Sequence, residues 1–197
     1  MEAIEAITRR RSTRRYAQKA VEPEKIELII EAGRHAPSGG NNQKSHFFVV
    51  TRADVMDRLA SLAQEAFSKM EVTEDMYSSL RSSVVQSKKG GYRFCYNAPV
   101  LIIIANEKNY GNHTADMMAA AENMMIAANA LDLGSCFLNQ LNWLNEEPAL
   151  LDYMTSLGMS MKERVYGAVI IGYADTDDGL PARKPLPRTG NEVTYIK

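Results

Sequence analysis

The stretch from Thr114 to Leu131 constrains this chain more than any other, because it is apolar around most of a helical circumference. Met117, Ala121, Met124, Ala128 and Leu131 recur at the spacing of one helix face. Met118, Ala119, Met125 and Ala127 carry apolar surface round the sides. Thr114 is a suitable cap, and Asp116 suits the positive end of the helix dipole. Such a helix has to be buried, either at the centre of a domain or at a subunit interface. Gly134 is expected to end the element.

A second apolar run, Pro99 to Ala105, is too continuous for a strand with one wet face. It predicts a central strand covered on both sides, as does Tyr166 to Ile171. Shorter strands are expected at His46–Thr51 and Ser135–Leu138. Helices are expected from Glu2 to Arg11, from Pro23 to near Gly33, and from Asn145 to Leu157. The segment from Asp54 to Lys89 reads as two helical pieces, with Thr73 as the second start. Ser12–Lys19 reads as an irregular connector, Pro37–Gln43 as a loop, and everything after Gly172 as a polar tail. No repeat or linker divides residues 1–197, so one domain is expected. Helices and strands mix without strict alternation, which favours the α+β class.

Charge excludes some functions. Lys plus Arg number 23 and Asp plus Glu 24, so no global field draws the chain to nucleic acid or to an anionic membrane. The longest apolar run is too short to span a bilayer. Cys95 and Cys136 form neither a metal spacing nor a disulfide framework, which suits reduced thiols in the cytoplasm. His35, His46 and His113 are scattered singles, and His113 with Asp116 reads as a helix start before half a metal site.

Four constellations could carry chemistry. Arg10-Arg11-Ser12-Thr13-Arg14 offers guanidinium forks and hydroxyls suited to a phosphate, although taken alone it also reads as a solvated basic face or a nonspecific nucleic-acid patch. Pro37-Ser38-Gly39-Gly40-Asn41 offers close backbone approach and polar side chains, or a plain surface turn. Leu133 to Gln140, directly after the buried helix, offers at its strand end, Leu138-Asn139-Gln140, backbone amides to a flat heterocycle, or is an ordinary connection. Arg183-Lys184 places cations on a tail that could close over an anion, or simply be solvated.

In their order and spacing these motifs resemble those of the FMN-dependent nitroreductase family, from about Arg9 to Pro185. The resemblance implies a central mixed, mainly antiparallel sheet flanked by helices, in an intertwined homodimer with two FMN sites at the interface. It implies that Arg10 holds the FMN phosphate with Arg11 beside it. Ser12 is expected at the ribityl chain or ring edge, and Arg14 at the pyrimidine edge. Pro37, Ser38, Gly39 and Asn41 are expected to reach in from the partner subunit, and Arg183 and Lys184 to return to the phosphate. A backbone N–H at Asn139 or Gln140, following Leu138, is expected to face the ring. Family members often carry Gly-Gly or Glu-Gly there, so Asn139-Gln140 is a departure that bears on pocket shape.

The implied activity is reduction of a flat small-molecule acceptor, such as a nitroaromatic or quinone, with NADH or NADPH as reductant. The protein then needs no acid–base triad, because the cofactor carries the chemistry. A flavin carrier or sensor without efficient turnover would use the same motifs. A nucleic-acid binder built on Arg9–Arg15 lacks any second basic stripe or reading motif.

Overall fold

A computed structural model describes residues 1–197. The chain runs α1 (Ala3–Arg9), α2 (Pro23–Arg34), β1 (His46–Val50), α3 (Ala53–Ser68), α4 (Ser78–Lys89), β2 (Val100–Glu107), α5 (His113–Ala130), β3 (Gly134–Leu138), α6 (Gln140–Trp143), α7 (Pro148–Ser156) and β4 (Glu163–Gly172). The four strands lie in the order β1-β2-β4-β3, with every neighbouring pair antiparallel. One parallel bridge, Ser12 to Ser135, adds the N-terminal connector to the β3 edge.

β2 and β4 occupy the centre, as their unbroken apolar runs require. Alternate residues face opposite layers. Leu101, Ile103, Ala105, Ala168 and Ile170 join a core with Leu59, Ala63 and Phe67 of α3, Val84 of α4 and Met154 of α7. Ile102, Ile104, Val169 and Ile171 join the other core, with Met117, Ala121, Met124 and Ala128 of α5 and Ile29 of α2. A bulge between Ile104 and Ala105 shifts the β2–β4 register. Tyr166, the β4 residue left over, sides with the α5 layer and stacks on His113 with ring centroids 3.8 Å apart. The expected apolar stripe of α5 therefore covers the sheet.

Several boundaries differ from the sequence reading. α5 begins at His113 behind Asn112, and no side chain caps it, so Thr114 is not the cap. The helix ends in a Schellman motif: Leu133 N–H donates to Ala128 O at 2.9 Å and Asp132 N–H to Asn129 O at 3.3 Å, with Asp132 at φ 64°. Asp132 thus makes the left-handed turn expected of Gly134. Gly134 is instead the point where Thr13 crosses, since a Cβ there would lie 2.6 Å from Thr13 Oγ1. α1 stops at Arg9, the second piece of the 54–89 segment starts at Ser78, and the helix expected from Asn145 starts at Pro148. The short α6 follows β3 without a sequence signal, because four residues hold too little periodicity to read.

Gly172, at the end of β4, sits between two rings. An added Cβ would lie 2.5 Å from Pro99 Cδ and 2.9 Å from Tyr16 Cδ1. Neither ring has a flexible end that can move aside, so Gly172→Ala is expected to cost about 1–3 kcal/mol. The effect would be a lower urea midpoint at unchanged m-value.

Candidate functional site

The connector after α1 is stitched to the sheet. Thr13 N–H donates to Ser135 O at 2.9 Å, Ala17 N–H to Tyr173 O at 3.0 Å, and Asp175 N–H to Arg15 O at 3.1 Å. Tyr16 is buried beneath it and donates to Thr13 O at 2.7 Å, and burial pushes its hydroxyl far above the usual phenol range. This pairing sets Ser12 beside β3 and turns Arg14 toward the strand's C-terminal end. Arg14, Leu138, Asn139 and Gln140 line one cavity of about 290 Å³, together with Tyr77, Tyr92, Tyr96, Trp143 and serines of α4. Tyr77 and Trp143 meet edge to face, with centroids 6.2 Å apart.

The cations nearby differ in freedom. Arg10 is largely covered, with its side chain 22% exposed. Its Nε lies 3.7 Å from Glu122 Oε1 and is buried with no hydrogen-bond acceptor. Arg11 Nε donates to Lys184 O at 3.0 Å and its Nη1 to Thr8 O at 3.3 Å, so the C-terminal tail does come back to the arginine cluster. Arg183 does not offer a free guanidinium there. It donates to Asn129 O at 2.7 Å, to Asp132 Oδ1 at 2.6 Å and to Asn129 Oδ1 at 3.3 Å, where it caps the negative end of α5. The Lys184 ammonium makes no ion pair or hydrogen bond. Asn129, buried among these groups, also donates to Ala6 O at 2.9 Å and so ties α1 to the same point.

The Pro37–Gln43 loop is an organised element. Gly39 N–H donates to Asp116 Oδ1 at 3.0 Å, and Tyr110 donates to Gly39 O at 3.1 Å. Gln43 N–H donates to Ser38 Oγ at 3.0 Å, and Gln43 Nε2 to Asn41 Oδ1 at 2.9 Å. Asn41 and Gln43 take positive φ, 54° and 53°. Pro37 and Ser38 line a separate cavity of about 150 Å³ with the buried Asp116, whose Oδ2 has no partner. The loop is held at the first turn of α5, while Arg183 sits at its last. Asp116 and Asn129 are 13 residues apart on that helix, or about 20 Å along its axis. One chain therefore brings Arg14 together with Leu138–Gln140 and Arg11 together with the tail, while Arg10 sits beside Glu122 and the 37–41 loop is tied to Asp116.

The aromatic wall was not foreseen. Tyr77, Tyr92, Tyr96 and Trp143 stand in turns or short elements, where no periodicity marks a shared face. Among the histidines, His46 lies 3.2 Å from Glu163 and His113 lies on Tyr166, and no group of three or more His, Cys, Asp or Glu side chains is arranged to hold a metal ion.

A family model described as the Nitroreductase family matches residues 7–173. The chain belongs to the nitroreductase family. Among solved structures, a nitroreductase with bound FMN from Bacteroides fragilis superposes at a TM-score of 0.86 with 32% identity, over 100% of each chain. A protein of Archaeoglobus fulgidus, named as a candidate NADH dehydrogenase/NAD(P)H nitroreductase, is 27% identical over 177 residues, covering 87% of this chain and 85% of its own. Nitroreductase NfnB of Mycolicibacterium smegmatis is 26% identical over 214 residues, covering 94% of this chain and 88% of its own. This nitroreductase-family chain has the family's α+β fold, and no helix in it is long and apolar enough to cross a membrane.

Asn129 holds two of the elements that carry the cations. Asn129→Ala removes the bond to Ala6 O and one of the bonds to Arg183. An expected loss of about 1–3 kcal/mol follows. Amide exchange should accelerate in residues 3–9 more than in the sheet.

Proposed function

We propose that this chain is an FMN-dependent NAD(P)H oxidoreductase. It works as a cytoplasmic homodimer, and NADH or NADPH and a flat acceptor such as a nitroaromatic or quinone take turns in one cavity. The observation that carries the reading is the meeting of Arg14 with the end of β3 in an aromatic-walled cavity. The Bacteroides relative with bound FMN and the Archaeoglobus relative's NAD(P)H name support it.

The residues present fit FMN. Arg10 keeps a buried donor with no hydrogen-bond acceptor, and Ser135 Oγ, beside Ser12, is buried and unpaired as well. Arg10, with Arg11 and Ser12, would hold the phosphate, and Lys184, the freer of the two tail cations, would add charge there. Arg183 would act mainly by fixing the tail on α5. Bound FMN would supply two-electron hydride chemistry at its ring. Arg14 would hold a fixed positive charge at the pyrimidine edge, where it favours negative charge that develops on reduction. A backbone N–H of Asn139 or Gln140 would orient the ring. The tyrosines and Trp143 would exclude water from the exchange.

Pro37, Ser38, Gly39 and Asn41 would complete the site of the partner subunit, since within one chain their loop is tied to Asp116 and lines a cavity separate from the one that holds Arg14. Apolar side chains left in solvent support that assembly: Ile4 is 73% exposed, Leu28 57% and Met118 39%, on α1, α2 and α5. A nucleic-acid role finds less support. Arg9 pairs with Glu5, Arg10 lies near Glu122, and Arg15 pairs with Asp175, which leaves little of a basic stripe.

Purified protein should be yellow, with flavin bands near about 370 and 450 nm, and should elute near twice the 22.0 kDa chain mass. Arg10→Ala should weaken FMN binding at least roughly tenfold, the scale of a lost charged hydrogen bond. Arg14→Ala should instead lower the flavin midpoint potential and slow reduction more than it weakens binding. Equal effects of the two substitutions on affinity would contradict the assigned roles.

Steady-state double-reciprocal plots should be parallel, because both substrates use one cavity, and intersecting lines would count against that. Anaerobic stopped-flow mixing separates enzyme from carrier: bound flavin that stays oxidised with excess NADH and with NADPH marks a carrier or sensor.

A further inference from the structure

The Pro37–Gln43 loop sets its own shape but not its own place. Asn41 N–H donates to Ser38 O at 2.9 Å and Asn42 N–H to Gly39 O at 3.2 Å, while Ser38 Oγ and Asn41 Oδ1 accept from Gln43. All of these bonds stay inside the loop. Asn41 and Gln43 take positive φ, which side chains adopt only where the surroundings enforce it. No residue from Pro37 to Gln43 is buried, so no apolar anchor seats the loop. Apart from its two chain ends, it is tied to the rest of the fold by two hydrogen bonds, and both reach Gly39. Gly39 N–H donates to Asp116 Oδ1, and Tyr110 Oη donates to Gly39 O. Each direction is fixed, because a backbone amide only donates and a carbonyl only accepts. The peptide groups on either side of the Gly39 Cα are thus gripped from the start of α5. The fit is close, since an added Cβ would lie 2.1 Å from Asn112 Nδ2 and 2.5 Å from Tyr110 Oη. Asp116 is 5% exposed, so water competes poorly for the Gly39 amide.

We propose that Asp116, assisted by Tyr110, is a positioning residue for the flavin site of the partner subunit: by seating Gly39 it sets where Pro37, Ser38 and Asn41 meet the cofactor bound there. This rests on the FMN-dependent dimer proposed above and deepens it. Both residues act through Gly39. The same helix presents Met118, two residues on from Asp116 and 39% exposed, to the apolar surface assigned to the dimer. The loop is therefore referenced to the element that the partner packs against, and not to the Arg14 cavity of its own chain. Seating Gly39 requires an acceptor at position 116 and not a charge, so an amide oxygen can take the place of the carboxylate.

The test is FMN titration of the full-length dimer and its variants. Asp116→Ala should weaken FMN binding roughly tenfold or more and Tyr110→Phe about fivefold, with the dimer intact by gel filtration. Asp116→Asn should bind within about twofold of the wild type, since its side-chain carbonyl still accepts from Gly39. Unchanged affinity in Asp116→Ala overturns the proposal, and so does a loss in Asp116→Asn as large as that in Asp116→Ala. Mixed dimers show whose site Asp116 serves. Differently tagged chains, one Arg10→Ala and the other Asp116→Ala, should give a heterodimer that holds about one FMN at wild-type affinity, because both lesions fall on the same one of its two sites. A heterodimer without a tight site places the action of Asp116 within its own chain and overturns the proposal. Pairing Arg10→Ala with Gly39→Leu tests the parent reading separately. A tight site in that pairing but none with Asp116→Ala sinks the proposal alone, whereas no tight site in either pairing sinks the shared flavin site and the proposal with it. If Asp116→Ala does not fold, Tyr110→Phe takes its place in the mixed dimer.

Discussion

Three polar contacts arranged along α5 govern the layout of this protein. Asp116 holds the Gly39 amide at the first turn, Glu122 lies beside Arg10 past the middle, and Asn129 with Asp132 holds Arg183 at the end. The helix can serve as a ruler because its apolar stripe is clamped against the sheet by Met117, Ala121, Met124 and Ala128. A rod fixed in this way cannot bend to bring its two ends together. The loop at its first turn and the tail at its last therefore stay about 20 Å apart within one chain.

The sheet places the remaining parts. β2 and β4 are covered on both faces, so neither offers a surface to a ligand. Chemistry is left to the margins, and β3 is the margin where the strand end, the connector and the aromatic residues around α4 and α6 meet. Burial matters in that corner, because a guanidinium or amide acts more strongly where water is scarce.

Much of this was legible in the residues. The continuous apolar runs at Pro99–Ala105 and Tyr166–Ile171 announced central strands, and the Met-rich stretch announced a buried helix. The Arg-Arg-Ser-x-Arg cluster and the Pro-Ser-Gly-Gly-Asn loop were visible because spacing along the chain carries their meaning. Other features depend on contacts between distant residues, which no local pattern encodes. The engagement of Arg183 by Asn129 spans 54 residues, and the Gln140–Tyr92 bond spans 48. Helix starts at Ser78 and Pro148 were missed by several residues because the preceding polar segments fit either turn or helix by composition. The Gly134 reading failed because a close approach by Thr13 looks, in sequence, the same as a helix stop.

The bridge between Ser12 and Ser135 has a kinetic side. Its partners are separated by 123 residues (135 minus 12), so the N-terminal connector can dock only after β3 has joined β4 and offered an edge. Contacts that close so large a loop form late, since their entropy cost is met only once most of the chain is in place. A nascent chain would thus assemble its sheet first and set its arginine cluster in place last.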